Sequence, residues 1–152
     1  MKRDLIQFIL AFFAIACGGA LEELAPKALG VGCPILMAAT AYYALNRSPL
    51  TGVLFAVAAG AAEDSLCALP FALSIGFFVT LAGVLRGFRL PPVCAVPAFA
   101  GYQIWLWLWL GGELNGSVFS RVVVALPVGG VTLAAVYVML LWFDGKAAVN
   151  EK

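Results

Sequence analysis

Histidine is absent from this 152-residue chain, and charge of either sign is scarce: nine lysines and arginines against eight aspartates and glutamates, 11% of the residues. Without imidazole there is no His-based general acid–base pair, no Ser-His triad and no imidazole metal ligand. A formal net charge of +1 provides no clustered basic surface of the kind that nucleic-acid binding requires. Cysteine occurs four times, at Cys17, Cys33, Cys67 and Cys94, widely spaced in apolar segments and without a C-x-x-C pair. That pattern predicts small buried apolar residues rather than a disulfide frame or a metal site. There is no internal repeat and no low-complexity segment.

What takes the place of charge is hydrocarbon. Hydrophobic residues make up 64% of the chain and its mean hydropathy is +1.03, where soluble domains hold about 45–50% apolar residues. The expectation is an all-α, polytopic membrane protein, one transmembrane domain over residues 1–152. Six apolar stretches stand out, at about 5–21, 28–45, 50–69, 70–85, 93–110 and 122–143. The first is slightly short for a 30 Å hydrocarbon core, but long enough if flanking residues snorkel. Its basic start and the run Phe12-Phe13-Ala14-Ile15-Ala16-Cys17 have some likeness to a cleaved lipoprotein signal. The following segments are hydrophobic spans themselves, which favours a first span. Ala16 with Ala20, and Ala14 with Gly18, carry the small-x-x-x-small spacing of packed membrane helices.

Between the spans, Glu22-Glu23-Leu24-Ala25-Pro26-Lys27 reads as the first loop. Pro34 is expected to bend the second span or to sit near its start. Asn46-Arg47-Ser48-Pro49 reads as a tight polar turn whose proline opens the third helix. Pro127-Val128-Gly129-Gly130 lies near the beginning of the sixth. Trp105, Trp107 and Trp109 alternate with leucine, but a lone strand cannot satisfy its backbone in lipid, so a helix is expected there. Three indoles near its end suit an interfacial aromatic belt.

Six spans put both termini on one side. With that side cytoplasmic, Lys2, Arg3, Arg47, Arg86, Arg89, Lys146 and Lys152 lie inside, seven of nine basic residues, and only Lys27 and Arg121 lie outside. This asymmetry fits the positive-inside rule with cytoplasmic N- and C-termini. Glu22, Glu23, Glu63, Asp64 and Glu113 then fall on the outer side. Arg47, Arg86 and Arg89 form a cytoplasmic basic surface, either as orientation signals with an affinity for anionic lipid or as a place for a cytoplasmic partner.

The most informative stretch is Gly60-Ala61-Ala62-Glu63-Asp64-Ser65, two carboxylates in an apolar setting. A helix begun at Leu50 has risen only about 19 Å by Ala62, so the acids belong to its last turns. An ionised Asp at the centre of a membrane helix costs roughly 2.5 to 3.5 kcal/mol, less near the interface, and such residues face packed interiors, polar cavities or opposite charge. Gly52, Ala56, Gly60 and Asp64 recur every fourth residue, a small-residue row suited to a closely approaching helix. Asp64 thus continues a candidate partner or packing seam; the alternative is that Glu63 and Asp64 simply wet the outer end of a helix. Arg121 begins the sixth span at the same level. An ion pair among Glu63, Asp64 and Arg121 would offset the burial penalty; the other reading is an interfacial arginine snorkelling to water.

Gly32-Cys33-Pro34-Ile35-Leu36, then Tyr42-Tyr43-Ala44-Leu45, a short Arg/Ser/Pro turn, Gly52 and Gly60-x-x-x-Asp64-Ser65-Leu66 together resemble the MreD family of bacterial rod shape-determining membrane proteins. The resemblance is best from Gly32 to about Arg89. It departs after Asp64, where the family often has glycines and this chain has Ala68-Leu69-Pro70-Phe71. It implies a small polytopic subunit of the cell-elongation machinery, associated with an MreC-like single-span protein and, through it, with an MreB-like filament and RodA–PBP2-like peptidoglycan synthases. The family is also similar in fold to the six-helix substrate-binding subunits of energy-coupling-factor vitamin transporters.

Three functions follow for comparison. A non-catalytic scaffold suits the small-residue row, the Asp64 region and the lack of a nucleophile–base constellation. A vitamin-binding transporter subunit would use the Ala16–Ala20 pair against its transporter module, although Glu63, Asp64, Glu113, Asn115 and Arg121 offer few outer polar groups for a ligand. An intramembrane enzyme ranks last: Glu63 and Asp64 diverge by about 100° on a helix, and no second acidic motif supports them in holding a metal. No cofactor is expected.

Overall fold

The computed structural model describes residues 2–29, 34–67, 69–70, 72–109 and 116–149, with side chains over 9–22, 24, 34–67, 69–70, 72–106, 108–109, 123–124 and 126–145. Every regular element among them is helical: α1 (Lys2–Leu29), α2 (Ile35–Asn46), α3 (Pro49–Leu66), α4 (Leu73–Gly87), a 3-10 turn at Pro92–Cys94, α5 (Ala95–Trp109) and α6 (Gly116–Val149).

The bundle is built around α2. Its residues from Leu36 to Ala44 are all buried, and it touches each of the other five α-helices. A helix apolar on every side belongs inside a bundle. At twelve residues it is only about 18 Å long. Alanines at 38, 39, 41 and 44 let neighbours come close, while Tyr42 and Tyr43 fill the wider gaps. Tyr43 stacks on Phe55 of α3 with centroids 4.0 Å apart, and Tyr42 meets Tyr137 of α6 edge-on at 5.1 Å.

Local chemistry sets the helix ends. The backbone N–H of Thr51 donates to Ser48 Oγ (3.2 Å), and Pro49 occupies the first helical position of α3, where its missing N–H is harmless. At the C-terminus of α4, the N–H of Leu90 donates to the Leu85 carbonyl (2.9 Å) and that of Arg89 to the Arg86 carbonyl (3.2 Å). This is the Schellman arrangement, with Arg89 in the left-handed position (φ 51°) usually held by glycine. An L side chain there costs roughly 1–2 kcal/mol. Pro127 lies inside α6, whose 34 residues continue on both sides of it.

Three sequence expectations are corrected. Glu22 to Lys27 is no loop: α1 runs through it to Leu29. The second helix starts at Ile35, not near residue 28, because Pro34 marks its beginning. Cys17 and Cys67 are exposed and Cys94 is half-buried, rather than buried; Cys33 lies outside the described residues. Trp105 and Trp109 are on a helix and exposed.

The outside of this bundle is as apolar as its inside. Phe12, Leu50, Phe88, Val131 and Val138 are each more than 60% exposed, with many other large apolar side chains around them. Soluble monomers rarely expose contiguous patches beyond a few hundred Å². Among the described residues one helical stretch, Leu126–Gly145 of α6, is both long and apolar enough to cross a membrane alone; Ile9–Glu22, Ile35–Asn46, Leu73–Gly87 and Pro92–Leu106 are shorter apolar helices.

Candidate functional site

Apart from Thr40, whose hydroxyl donates back to the Leu36 carbonyl within α2, the polar groups that join helices gather at the two ends of the bundle. At the end holding Glu63 and Asp64, the start of α4 needs acceptors for its first N–H groups. Ala72, in the N-cap position at φ 69°, offers no side-chain cap. Asp64 on α3 supplies one: the Ser74 N–H donates to Asp64 Oδ1 at 2.8 Å. Ser74 Oγ in turn lies 2.6 Å from Tyr102 Oη, linking α4 to α5.

The start of α2 is treated in the same way from another helix. Pro34 has no side-chain cap to give, and the Leu36 N–H donates to Glu22 Oε1 of α1 at 2.9 Å. The Glu63 carboxyl lies beside that of Glu22. The Glu22 and Asp64 carboxyls thus accept from the first N–H groups of a neighbouring helix, donors that have no partner within their own helix. Each keeps one buried oxygen, Glu22 Oε2 and Asp64 Oδ2, without a hydrogen-bond partner among the described residues.

Close backbone approach makes the Asp64 cap geometrically available. Gly52, Ala56, Gly60 and Asp64 are all buried, and what they meet is the chain's own helices. A Cβ placed on Gly60 would fall 2.6 Å from Ile75 Cα and 2.9 Å from the Ser74 carbonyl carbon. One on Gly52 would fall 3.1 Å from Ala44 Cα. The row therefore winds from α2 at one end of α3 to α4 at the other. Arg121's side chain lies outside the described residues, so its pairing with Glu63 and Asp64 does too, as does Glu113.

The opposite end carries Arg47, Arg86 and Arg89, and the structure separates them. Arg47 forms an ion pair through Nη2 with Asp144 Oδ1 of α6, with side-chain exposures of 13% and 27%. The Tyr42 hydroxyl donates to the other oxygen of Asp144. Asn46 Nδ2 donates to Tyr137 Oη (2.7 Å) and to the Tyr42 carbonyl (3.0 Å). Arg86 of α4 turns its Nη1 onto the carbonyls of Ala44 (2.9 Å) and Arg47 (2.6 Å), capping the C-terminus of α2. Arg89 remains exposed. Of the three arginines expected on a basic surface, two hold helices together.

Sequence reasoning did not single out Asp144 or Tyr102, named Tyr42 only within the motif of the resemblance, and placed Glu22 in a loop. The available signal for Asp144 was an acid directly after the apolar run of α6, at the level of Arg47. Among the described residues, no group of three His, Cys, Asp or Glu side chains is placed to hold a metal ion. A narrow apolar gap lined by Pro34, Met37, Ala38, Ala95, Phe99, Gly129 and Leu133 lies between α2, α5 and α6. Compared with family models, with curated proteins and with solved structures, the chain finds no match.

Proposed function

We propose that this chain is a non-catalytic scaffold subunit of the bacterial cell-elongation machinery, seated in the cytoplasmic membrane as six helical crossings with both termini inside. One observation carries the scaffold reading. Glu22, Asp64, Arg47 and Arg86 each fasten one helix to another, three of them by capping a helix end. Polar side chains used in this way hold a shape rather than work on a substrate. The apolar exterior supports the membrane seat, because side chains such as Val131 and Val138 would be poorly placed in water. The resemblance to the MreD family supplies the machinery: an MreC-like single-span partner and, through it, the filament and the peptidoglycan synthases.

Asp64 then serves any partner indirectly, by setting how α3, α4 and α5 lie, because its side chain is directed at Ser74. Two measurements test this. Depleting the protein in its own host is expected to round the cells, and pull-down from native membranes is expected to recover a single-span partner. Cells that stay rod-shaped, with no such partner recovered, would overturn the reading.

A second reading, the small-molecule (vitamin-like) binding subunit of an energy-coupling-factor transporter, is favoured by one feature. Ala16 and Ala20 are both exposed on α1, open to a neighbouring subunit. Tight vitamin binding by the purified protein, together with unaltered cell shape on depletion, would select it.

A further inference from the structure

Between the C-termini of α2 and α4 lies an open cavity of about 550 Å³, lined by Leu45, Arg86, Gly87 and Arg89. Two cations line a space otherwise bounded by an aliphatic side chain and a glycine. Helix C-termini carry partial negative charge and would ordinarily repel an anion. Here Arg86 answers that charge directly, since its Nη1 takes the Ala44 and Arg47 carbonyls. A guanidinium has five N–H donors, and the remaining ones on Arg86 have no partner among the described residues. They are held in place by the bonds that Nη1 makes.

Arg89 adds the second cation in a way that local backbone preference does not explain. It occupies the left-handed position of the Schellman turn, which glycine fills without strain. Its side chain is exposed and pairs with no described acid. Asp144, the acid described at this end, is already engaged by Arg47 and Tyr42. A fixed guanidinium and a free one on the rim of a common cavity suit a tetrahedral oxyanion, which accepts several charge-assisted hydrogen bonds at once.

We propose that this cavity binds a phosphoryl group, with Arg86 and Arg89 as its ligands. The phosphate comes from the headgroup of an anionic lipid or from a soluble phosphorylated compound. The membrane placement proposed above matters only to the first of these sources.

The test uses the full chain purified in detergent and in phosphatidylcholine nanodiscs. Inorganic phosphate binding is measured by calorimetry, and phosphatidylglycerol retention by native mass spectrometry. Arg89→Gly is the informative variant because it removes the cation and suits the left-handed backbone, so the fold is kept. Native protein is expected to bind phosphate or to retain phosphatidylglycerol over phosphatidylcholine, and Arg89→Gly to do so about tenfold less well, as for loss of one charged hydrogen bond. Retention of phosphatidylglycerol alone assigns the lipid headgroup; phosphate binding alone assigns a soluble phosphoryl compound. Failure of the native protein to bind either, or equal binding by Arg89→Gly, overturns the site. A native protein that binds phosphate yet proves dispensable for cell shape would keep the site and reject the elongation role.

Discussion

Gly60→Ala is the smallest change that reaches the centre of this architecture. The added methyl would lie 2.6 Å from Ile75 Cα and 2.7 Å from Ile75 N. Those atoms are backbone, so no side chain can swing away. Ordinary contact begins at 3.4 Å, so α3 and α4 must part by about 0.8 Å, and overpacking of this kind costs about 1–3 kcal/mol. The same separation acts on the Asp64–Ser74 hydrogen bond, now 2.8 Å. Stretching it past good geometry removes about 1 kcal/mol more. Alanine's better helix propensity returns just under 1 kcal/mol. The net expectation is a loss of about 1–3 kcal/mol. Two glycines of the same bundle act as controls. At Gly52 the nearest backbone atom is 3.1 Å away, so a few tenths of an ångström suffice, and Gly52→Ala should fall within about 1 kcal/mol of the native protein. At Gly76 nothing lies within 4 Å, and Gly76→Ala should be neutral or slightly stabilising. Unfolding by SDS titration from mild detergent micelles, followed by far-UV circular dichroism, would rank the three. A Gly60→Ala protein as stable as the native one, or equal effects at 60 and 76, would refute close α3–α4 contact as the reason for this glycine.

Substitutions at Asp144, Asp64 and Glu22 probe the polar ties. Asp144→Leu should destabilise by about 3 kcal/mol, at the low end for a broken buried pair because Asp144 is 27% exposed; removing Arg47 as well, in Arg47→Met/Asp144→Leu, should restore part of that loss in the same SDS titration. Asp64→Asn keeps an acceptor for the Ser74 N–H and should cost less than about 1 kcal/mol, whereas Asp64→Leu leaves that donor unpaired and should cost about 1–3 kcal/mol. Glu22→Leu should likewise loosen the start of α2, read as faster amide exchange at Leu36 than in Glu22→Gln, which retains the acceptor.

Much of the fold could be read from local sequence, because local chemistry decides it. Ser48-Pro49 begins a helix by capping and by a preset φ, and Pro34 stands at another start for the same steric reason. The small-residue row on α3 could be found because a four-residue spacing keeps Gly52, Ala56 and Gly60 on a slowly winding face. What sequence could not indicate was which helices that face meets. The ties were harder still. Asp144 lies 97 residues from Arg47 and Glu22 lies 14 from Leu36, and neither separation belongs to a helix period. Arg86 reads as a surface charge because its partners are carbonyls, which every residue possesses. Glu22 and Glu23 read as a loop because charge ordinarily marks water, yet a carboxylate that caps another helix can stay on its own. The cysteines were misplaced by the opposite error. In a chain whose exterior is as apolar as its interior, hydrophobicity does not tell inside from outside, and Cys17 and Cys67 lie on the surface.

The account depends most on the two polar ends lying on opposite faces of a membrane. Single cysteines at Ser65→Cys, beside Asp64, and Phe88→Cys, beside Arg89, both at exposed positions, can be introduced after replacing the four native cysteines. An impermeant maleimide applied to intact spheroplasts should label position 65 and leave position 88 unlabelled until the membrane is opened. Labelling of both from one side, or of position 88 alone from outside, would contradict it.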